Sequence, residues 1–258
     1  MKTIYYKLTI IILILSLYSC EKEEKPESNK PKTYMDHDNF IMEGLVAYYP
    51  FNGNTNDESK NKLNGKGNNL LFTSDRFNKE DGACYFNGVN SHVKIENSPL
   101  LNSTTYTICF WYKADLKESS RQAILSKSDT SRYGYSIDMY NSEHYSNLGF
   151  AYKDKQTQFE KWALFGPGAR GWSLGDERKY EFAVVAFSEK NFVNYLGGQA
   201  VSFTPSNFFN SNEFDLYIGK SENGRYKNFK GELDDLLIYN RILTSEEVEK
   251  LYKWKKAQ

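Results

Sequence analysis

The sequence predicts an all-β sandwich or barrel closed by one short C-terminal helix. Three observations carry that prediction. From residue 43 onward, short apolar runs recur between clusters of Asn, Gly, Ser and Asp, the pattern of many strands and turns. Helical periodicity is nearly absent outside one C-terminal segment, and such chains belong to sandwiches and barrels. The chain also has 20 Tyr, 17 Phe and 4 Trp among 258 residues, far more aromatics than a disordered chain carries.

The elements follow in order. Leu45 to Phe51 is a first strand, closed by Asn52-Gly53-Asn54. Cys84-Tyr85-Phe86 and His92 to Ile95 flank Asn87-Gly88-Val89-Asn90, a strong turn signal. Thr107 to Tyr112 is a central strand, and its Trp111 reads as core. Ala123 to Ser126, Tyr133 to Ile137 and Leu148 to Tyr152 are the next three. Tyr180 to Phe187 and Asn191 to Leu196 form a hairpin across Ser188-Glu189-Lys190. Phe214 to Ile218 and Leu233 to Tyr239 complete the strands. Thr244-Ser245-Glu246-Glu247 is a capping box, in which Thr at the N-cap and Glu at N3 satisfy two orphan backbone N–H groups. Val248, Leu251 and Tyr252 then supply one apolar stripe, which predicts a helix packed on the edge of the sandwich.

Composition excludes some functions. Lys+Arg and Asp+Glu are both 33, whereas a dedicated nucleic-acid binder usually shows a basic excess. Three His and three Cys leave little for a zinc or iron–sulfur centre. No nucleic-acid partner is expected.

The N-terminus reads as an address. Lys2 and Lys7 precede the apolar run Leu8 to Leu17, which is too short to span a bilayer and fits a signal-peptide core. Leu17-Tyr18-Ser19-Cys20 resembles a bacterial lipobox, which implies cleavage before Cys20 and lipidation of its thiol; an ordinary secretory signal with a chance Cys is the other reading. Loss of residues 1–19 removes two basic groups and no acid, leaving 31 basic and 33 acidic groups. Residues 21–33 have no large apolar side chain and read as a solvated tether. Lys22-Glu23-Glu24 looks like the export tag of surface lipoproteins in Bacteroidetes-type bacteria, although a charged linker has the same composition. The expected organisation is signal peptide 1–19, lipidated Cys and tether 20–42, and one domain 43–258. The expected location is the cell envelope, by a lipid anchor in a membrane that is expected to be the outer one. Cys84 and Cys109 could pair outside the inner membrane or remain as two buried thiols.

The order of motifs resembles a LamG-like (laminin G type, concanavalin A-like) jelly-roll domain over residues 43–254. Leu45 to Asn54, followed by Asp57 and Ser59, is similar to the opening of such domains. Phe86-Asn87-Gly88 with Val93 and Ile95 looks like their "FDG…V.I" hairpin, and Tyr106 to Tyr112 like their "FTISAWV" strand. Phe229 to Thr244 follows their "F.G.IDDVRIYNRALS" ending. The resemblance implies a two-sheet antiparallel jelly roll. The middle departs: Tyr180 stands where Trp is usual, Asn194 to Gly198 replaces "YVNG", and residues 154–178 look like an enlarged loop.

Three chemistries deserve weighing. The resemblance implies a structural calcium between the first loop and the last strand, where Asn54, Asp57, Asp234 and Asp235 would supply oxygens. Alternation with Leu236 and Ile238 places Asp234 on the inward side, where a lone carboxylate is costly unless paired or metal-bound. The competing reading is an Asx-turn at Asp57 and backbone capping by Asp234. Concanavalin A-like glucanases carry Glu-x-Asp-x-x-Glu; Glu232-Leu233-Asp234 matches its start, but Leu237 replaces the second Glu, so no catalytic residue is assigned. Sugar rings stack on aromatic side chains, and the Gly-rich segment from Trp162 to Trp172, with Arg170 and nearby Tyr133 and Tyr135, is the expected ligand-binding loop. Packing of the two Trp over an enlarged loop is the bland alternative. The resulting expectation is a non-catalytic carbohydrate-binding module with glycan as its partner; the alternative is a protein-binding adhesion module.

Overall fold

Two antiparallel sheets stacked face to face account for the strands. In this computed structural model the described residues are 42–115, 120–128, 134–141, 146–153, 160–165, 179–188, 192–196, 199–203, 213–222, 224 and 226–254. The first sheet runs β13(Gln199–Phe203), β12(Phe192–Leu196), β11(Glu181–Phe187), β6(Tyr106–Ala114), β16(Lys230–Tyr239), β4(Ala83–Asn87), β3(Leu71–Thr73). β1(Leu45–Tyr49) also pairs with β16. The second runs β10(Glu160–Phe165), β9(Ser146–Lys153), β8(Gly134–Asn141), β7(Ser120–Ser128), β14(Leu216–Ile218), β5(His92–Ile95), β2(Lys66–Asn68), and β15(Lys227–Asn228) pairs with β7.

Most predicted strands are present with shifted ends. β1 stops at Tyr49, because Pro50 has no N–H to donate and Phe51 turns to a φ of +54°. β2, β3, β13 and β15 are additional short strands that lack a long apolar run. Residues 160–165, expected inside an enlarged loop, form β10 on the edge of the second sheet.

The space between the sheets is filled by alternate residues of both. Ile108, Phe110 and Tyr112 of β6 share this core with Ile137 and Met139 of β8 and Leu148, Phe150 and Tyr152 of β9. Phe150 is its aromatic centre, with ring centroids 4.4 Å from Phe187 and 4.9 Å from Phe192. The alternate residues of the first sheet face outward into a second apolar cluster: Cys109, Val184, Leu237 and Tyr239, together with Val248 and Leu251. Those last two lie on α1(Ser245–Lys253), so the helix covers the outer face of the first sheet rather than an edge. Its capping box forms as predicted, with Thr244 accepting from the Glu247 N–H and Glu247 accepting from the Thr244 N–H. Cys84 lies in the inner cluster and Cys109 in the outer one, and both are free thiols. Burial pushes each thiol well above its ordinary pKa.

One irregularity positions the site. The pairing of β16 with β6 shifts register between Asp234 and Leu237, and Asp235 has a φ of +47°. An extra residue in a strand breaks the period of two. Leu233, Leu236 and Ile238 all reach the inner core, whereas Asp234 lies opposite Trp111 on the outer face. The expected alternation of Asp234 with Leu236 and Ile238 therefore fails at the bulge.

Candidate functional site

The bulge presents two carboxylates to one guanidinium. Asp234 and Asp235 are buried, and Arg76 Nη1 contacts both, at 2.7 Å from Asp235 Oδ2. Tyr48 donates its hydroxyl to Asp235 Oδ1 at 2.6 Å. Arg76 arrives on the β3–β4 loop, which Asp75 shapes by accepting the Phe77 N–H at 2.8 Å and the Lys79 N–H at 3.0 Å. Gly82 closes the loop where a Cβ would lie only 2.8 Å from Asp75 atoms. The Arg76 guanidinium stacks 4.4 Å from the Phe77 ring and 4.7 Å from Trp111. Burial works against its charge, but Asp235 and Asp234 outweigh it and hold the Arg76 pKa above its ordinary value. Burial, then Asp235, raises the Tyr48 hydroxyl well above the usual range, so it stays a donor.

A second polar cluster stands beside the first. Glu232, two residues before Asp234, pairs with Lys113 at 2.7 Å and accepts the Tyr180 hydroxyl at 2.6 Å. Lys113 lies 5.2 Å above the Tyr180 ring. Burial, then the Glu232 bond, pushes the Tyr180 hydroxyl far up.

Arg76 of the first cluster and Lys113 and Tyr180 of the second line a cleft of about 730 Å³ on the outer face of the first sheet, beside the end of α1. Trp111, Tyr180, Tyr252 and Trp254 supply aromatic rings, and Arg76, Lys113, Lys179 and Lys253 supply cations. Tyr252 stacks on Trp111 with centroids 5.6 Å apart and planes 14° apart. Trp254 meets Tyr48 edge-on at 6.0 Å. Trp111, expected in the core, is instead half-buried on the outer face, because odd-numbered positions of β6 point away from the second sheet.

Residues 86–249 match the model of the concanavalin A-like lectin/glucanases superfamily. The chain belongs to that superfamily. No curated protein matches it. Among solved structures it resembles domain 4 of AbnA, a GH43 extracellular arabinanase of Geobacillus stearothermophilus, at 18% identity, with a TM-score of 0.61. That match covers 81% of this chain and 98% of the other. It also resembles the binding domain of Paraclostridial Mosquitocidal Protein 1, at 18% identity and a TM-score of 0.65 over 82% of this chain and 52% of the other. The binding domain of botulinum neurotoxin DC is similar at 14% identity and a TM-score of 0.61, over 82% of this chain and 51% of the other. The chain thus spans about half the length of the two toxin domains.

Within this superfamily fold, the residues expected to hold calcium do not form one donor set. Asp57 Oδ1 accepts the Tyr48 and Ser59 N–H groups at 2.8 Å each. Its Oδ2 accepts the Leu63 N–H at 2.7 Å and the Ser59 hydroxyl at 2.9 Å. That is the Asx-turn reading, extended to lock the first loop onto β1. Asn54 is exposed and caps its own turn through the Asn56 N–H. Asp234 and Asp235 face a cation instead. Among the described residues no group of three or more His, Cys, Asp and Glu side chains could hold a metal ion. The three carboxylates face donors, and Asn54 spends its amide on its own turn, so the set does not fit calcium.

Only part of the expected aromatic ligand loop falls within the described residues. Tyr133, Arg170 and Trp172 lie outside the described residues, as does Cys20. Trp162 is on β10, opposite Ala151 of β9. Tyr135 is a correction: it is buried in the inner core with its ring 5.3 Å from Phe187, so it is not open to a ligand. Leu237, at the glucanase signature's second Glu position, is buried in the cluster beneath α1. Sequence reasoning missed Arg76 and the cleft. The signal that could have found them is the paired Asp234-Asp235 before an apolar run, which demands a nearby cation once both are buried.

Proposed function

We propose that this chain is a non-catalytic carbohydrate-binding module, lipid-anchored through Cys20 at the cell envelope. The cleft over the outer face of β6 carries the first part. Its rings offer flat apolar faces to sugar C–H groups, and its Lys, Asn and Ser side chains offer hydrogen bonds to hydroxyls. The carboxylates on this face support the non-catalytic part of the reading. Glu232 is held by Lys113 and Tyr180, and Asp234 by Arg76, so neither is placed as a free acid or nucleophile. The arabinanase domain was solved with arabinotriose, which supports a sugar ligand on this fold. The lipid anchor rests on the lipobox-like Leu17-Tyr18-Ser19-Cys20.

A glycan array tests the reading. The wild-type chain is expected to bind at least one glycan, and Trp254→Ala to lose most of that signal. Binding unchanged by Trp254→Ala and Tyr252→Ala would remove the cleft as the site. For the anchor, Cys20→Ala is expected to abolish membrane partitioning; unaltered partitioning refutes it.

A further inference from the structure

Every charged side chain that lines the cleft already has a partner. Arg76 is held by Asp234 and Asp235, whose side chains are at most 1% exposed. Lys113 pairs with Glu232, and Lys253 pairs with Glu249 on α1. Lys179 is not without a partner, and Asp75 accepts backbone N–H groups of its own loop. The cations Arg76, Lys113, Lys179 and Lys253 therefore stand among Asp75, Asp234, Asp235, Glu232 and Glu249, and no positive excess is left for an anion. A carboxylate or sulfate entering here would have to displace one of these pairs or lie against their acids, and would give up its own hydration to do so.

The polar side chains of the lining that lack a hydrogen-bond partner are all uncharged. Among the described residues these are the Ser74 hydroxyl, the Asn78 amide, the Tyr252 hydroxyl and the indole N–H groups of Trp111 and Trp254. Asn78 is exposed on the β3–β4 loop, with a φ of +65° that Asn tolerates. Asp75 fixes that turn: its carboxylate accepts the Phe77 and Lys79 N–H groups, and its carbonyl accepts the Asn78 N–H at 3.0 Å. The amide thus offers a donor and an acceptor from a fixed backbone. Tyr252, whose ring stacks on Trp111, is still 40% exposed. Open rings with neutral donors and acceptors match a sugar that has apolar C–H faces and a rim of hydroxyls.

We infer that the cleft recognises a neutral glycan, with sugar hydroxyls on the Asn78 amide and an apolar sugar face on the Tyr252 ring. The buried ion pairs hold Arg76 and the cleft wall in place and leave the ligand no charge to meet. This rests on the carbohydrate-binding reading above and names its ligand class.

The test uses the full chain with arabinan, galactan, mannan, β-glucan and starch. Each is paired with its hydroxyethyl and carboxymethyl derivatives, which are similar in size and differ in charge. Affinity electrophoresis is expected to show Trp254-dependent binding of at least one neutral polymer, its affinity changing less than about two-fold between low and high salt. The carboxymethyl form of that polymer is expected to bind about three-fold or more weakly than the hydroxyethyl form. Asn78→Gly accommodates the positive φ but removes the amide, and is expected to weaken binding about three- to ten-fold at wild-type melting temperature. A carboxymethyl form bound as tightly as the hydroxyethyl form, or more tightly, overturns the inference. So does unchanged affinity in Asn78→Gly, or Trp254-dependent binding confined to acidic glycans on the array. In those cases the Trp254 dependence leaves the carbohydrate reading standing. Absence of any Trp254-dependent glycan, in the panel and on the array, removes both.

Discussion

Arg76 and Lys127 are the two side chains whose charges matter most beyond their size. Arg76 holds two buried acids through one nitrogen, so Arg76→Met strands both. The expected loss is about 3–5 kcal/mol, read from urea unfolding, because breaking a buried pair leaves uncompensated charge. A loss below about 1 kcal/mol, the range of a surface ion pair, would show that the pair is solvated. Lys127 on β7 is fully buried, donates to Asn97 Oδ1 at 3.0 Å and to the Phe214 carbonyl at 2.6 Å, and has its pKa lowered by burial to about 8. The sign follows from the lowered value. Below pH 8 both folded and unfolded chains carry the proton, and the penalty of burying the ammonium is fully present. Between that pKa and the ordinary value of 10.5 the unfolded chain binds more protons, so this lysine's penalty fades as pH rises. Wild type should therefore gain stability relative to Lys127→Met by up to ~1.4 kcal/mol per pH unit in that window. A pH-independent difference between the two proteins would contradict the assignment.

At the scale of elements, the bulge in β16 decides which face each residue takes. Deleting residue 235 would leave Leu236 opposite Phe110 and Leu237 opposite Cys109, a regular alternation in which Leu236 and Ile238 stay inward. A cooperative unfolding transition is therefore expected from that deletion, as from Asp235→Asn, which keeps the backbone length and tolerates positive φ; loss of cooperativity in the deletion alone would show that the strand cannot close without its bulge. At the other end, Thr244→Ala removes the N-cap of α1 and is expected to lower stability by about 1 kcal/mol. The capping box and the central strands were legible because their signals are local: a Thr and a Glu three apart, or a run such as Ile108 to Tyr112. β2 was not, since Lys66-Gly67-Asn68 is fully exposed and owes its strand to pairing with His92 to Lys94. Nor was the bulge, whose extra residue looks like ordinary alternation until the partner strand is known. The cleft was hidden for the same reason. Arg76 and Asp234 are 158 residues apart, and no local pattern couples them.

At the scale of the whole molecule, the centre of the first sheet is covered on both faces, by the second sheet and by α1. Cys84 and Cys109 report those two faces separately. In the intact chain neither should be alkylated without denaturant, since both are fully buried. Truncation after Asn240 should expose Cys109 and leave Cys84 protected, as mass spectrometry of the labelled sites would show. Equal labelling of both would mean that α1 holds the whole sandwich together rather than covering one face.

The double burial of β6 and β16 also bears on recognition. Amide hydrogens in that pair should exchange only through global unfolding, while those of the short edge strands escape by local opening. The floor of the cleft is built on the slowest-exchanging backbone in the molecule. A ligand arriving there finds Trp111 and Lys113 of β6 already fixed. Little protein ordering is then required on association, and the freedom lost belongs mainly to the ligand.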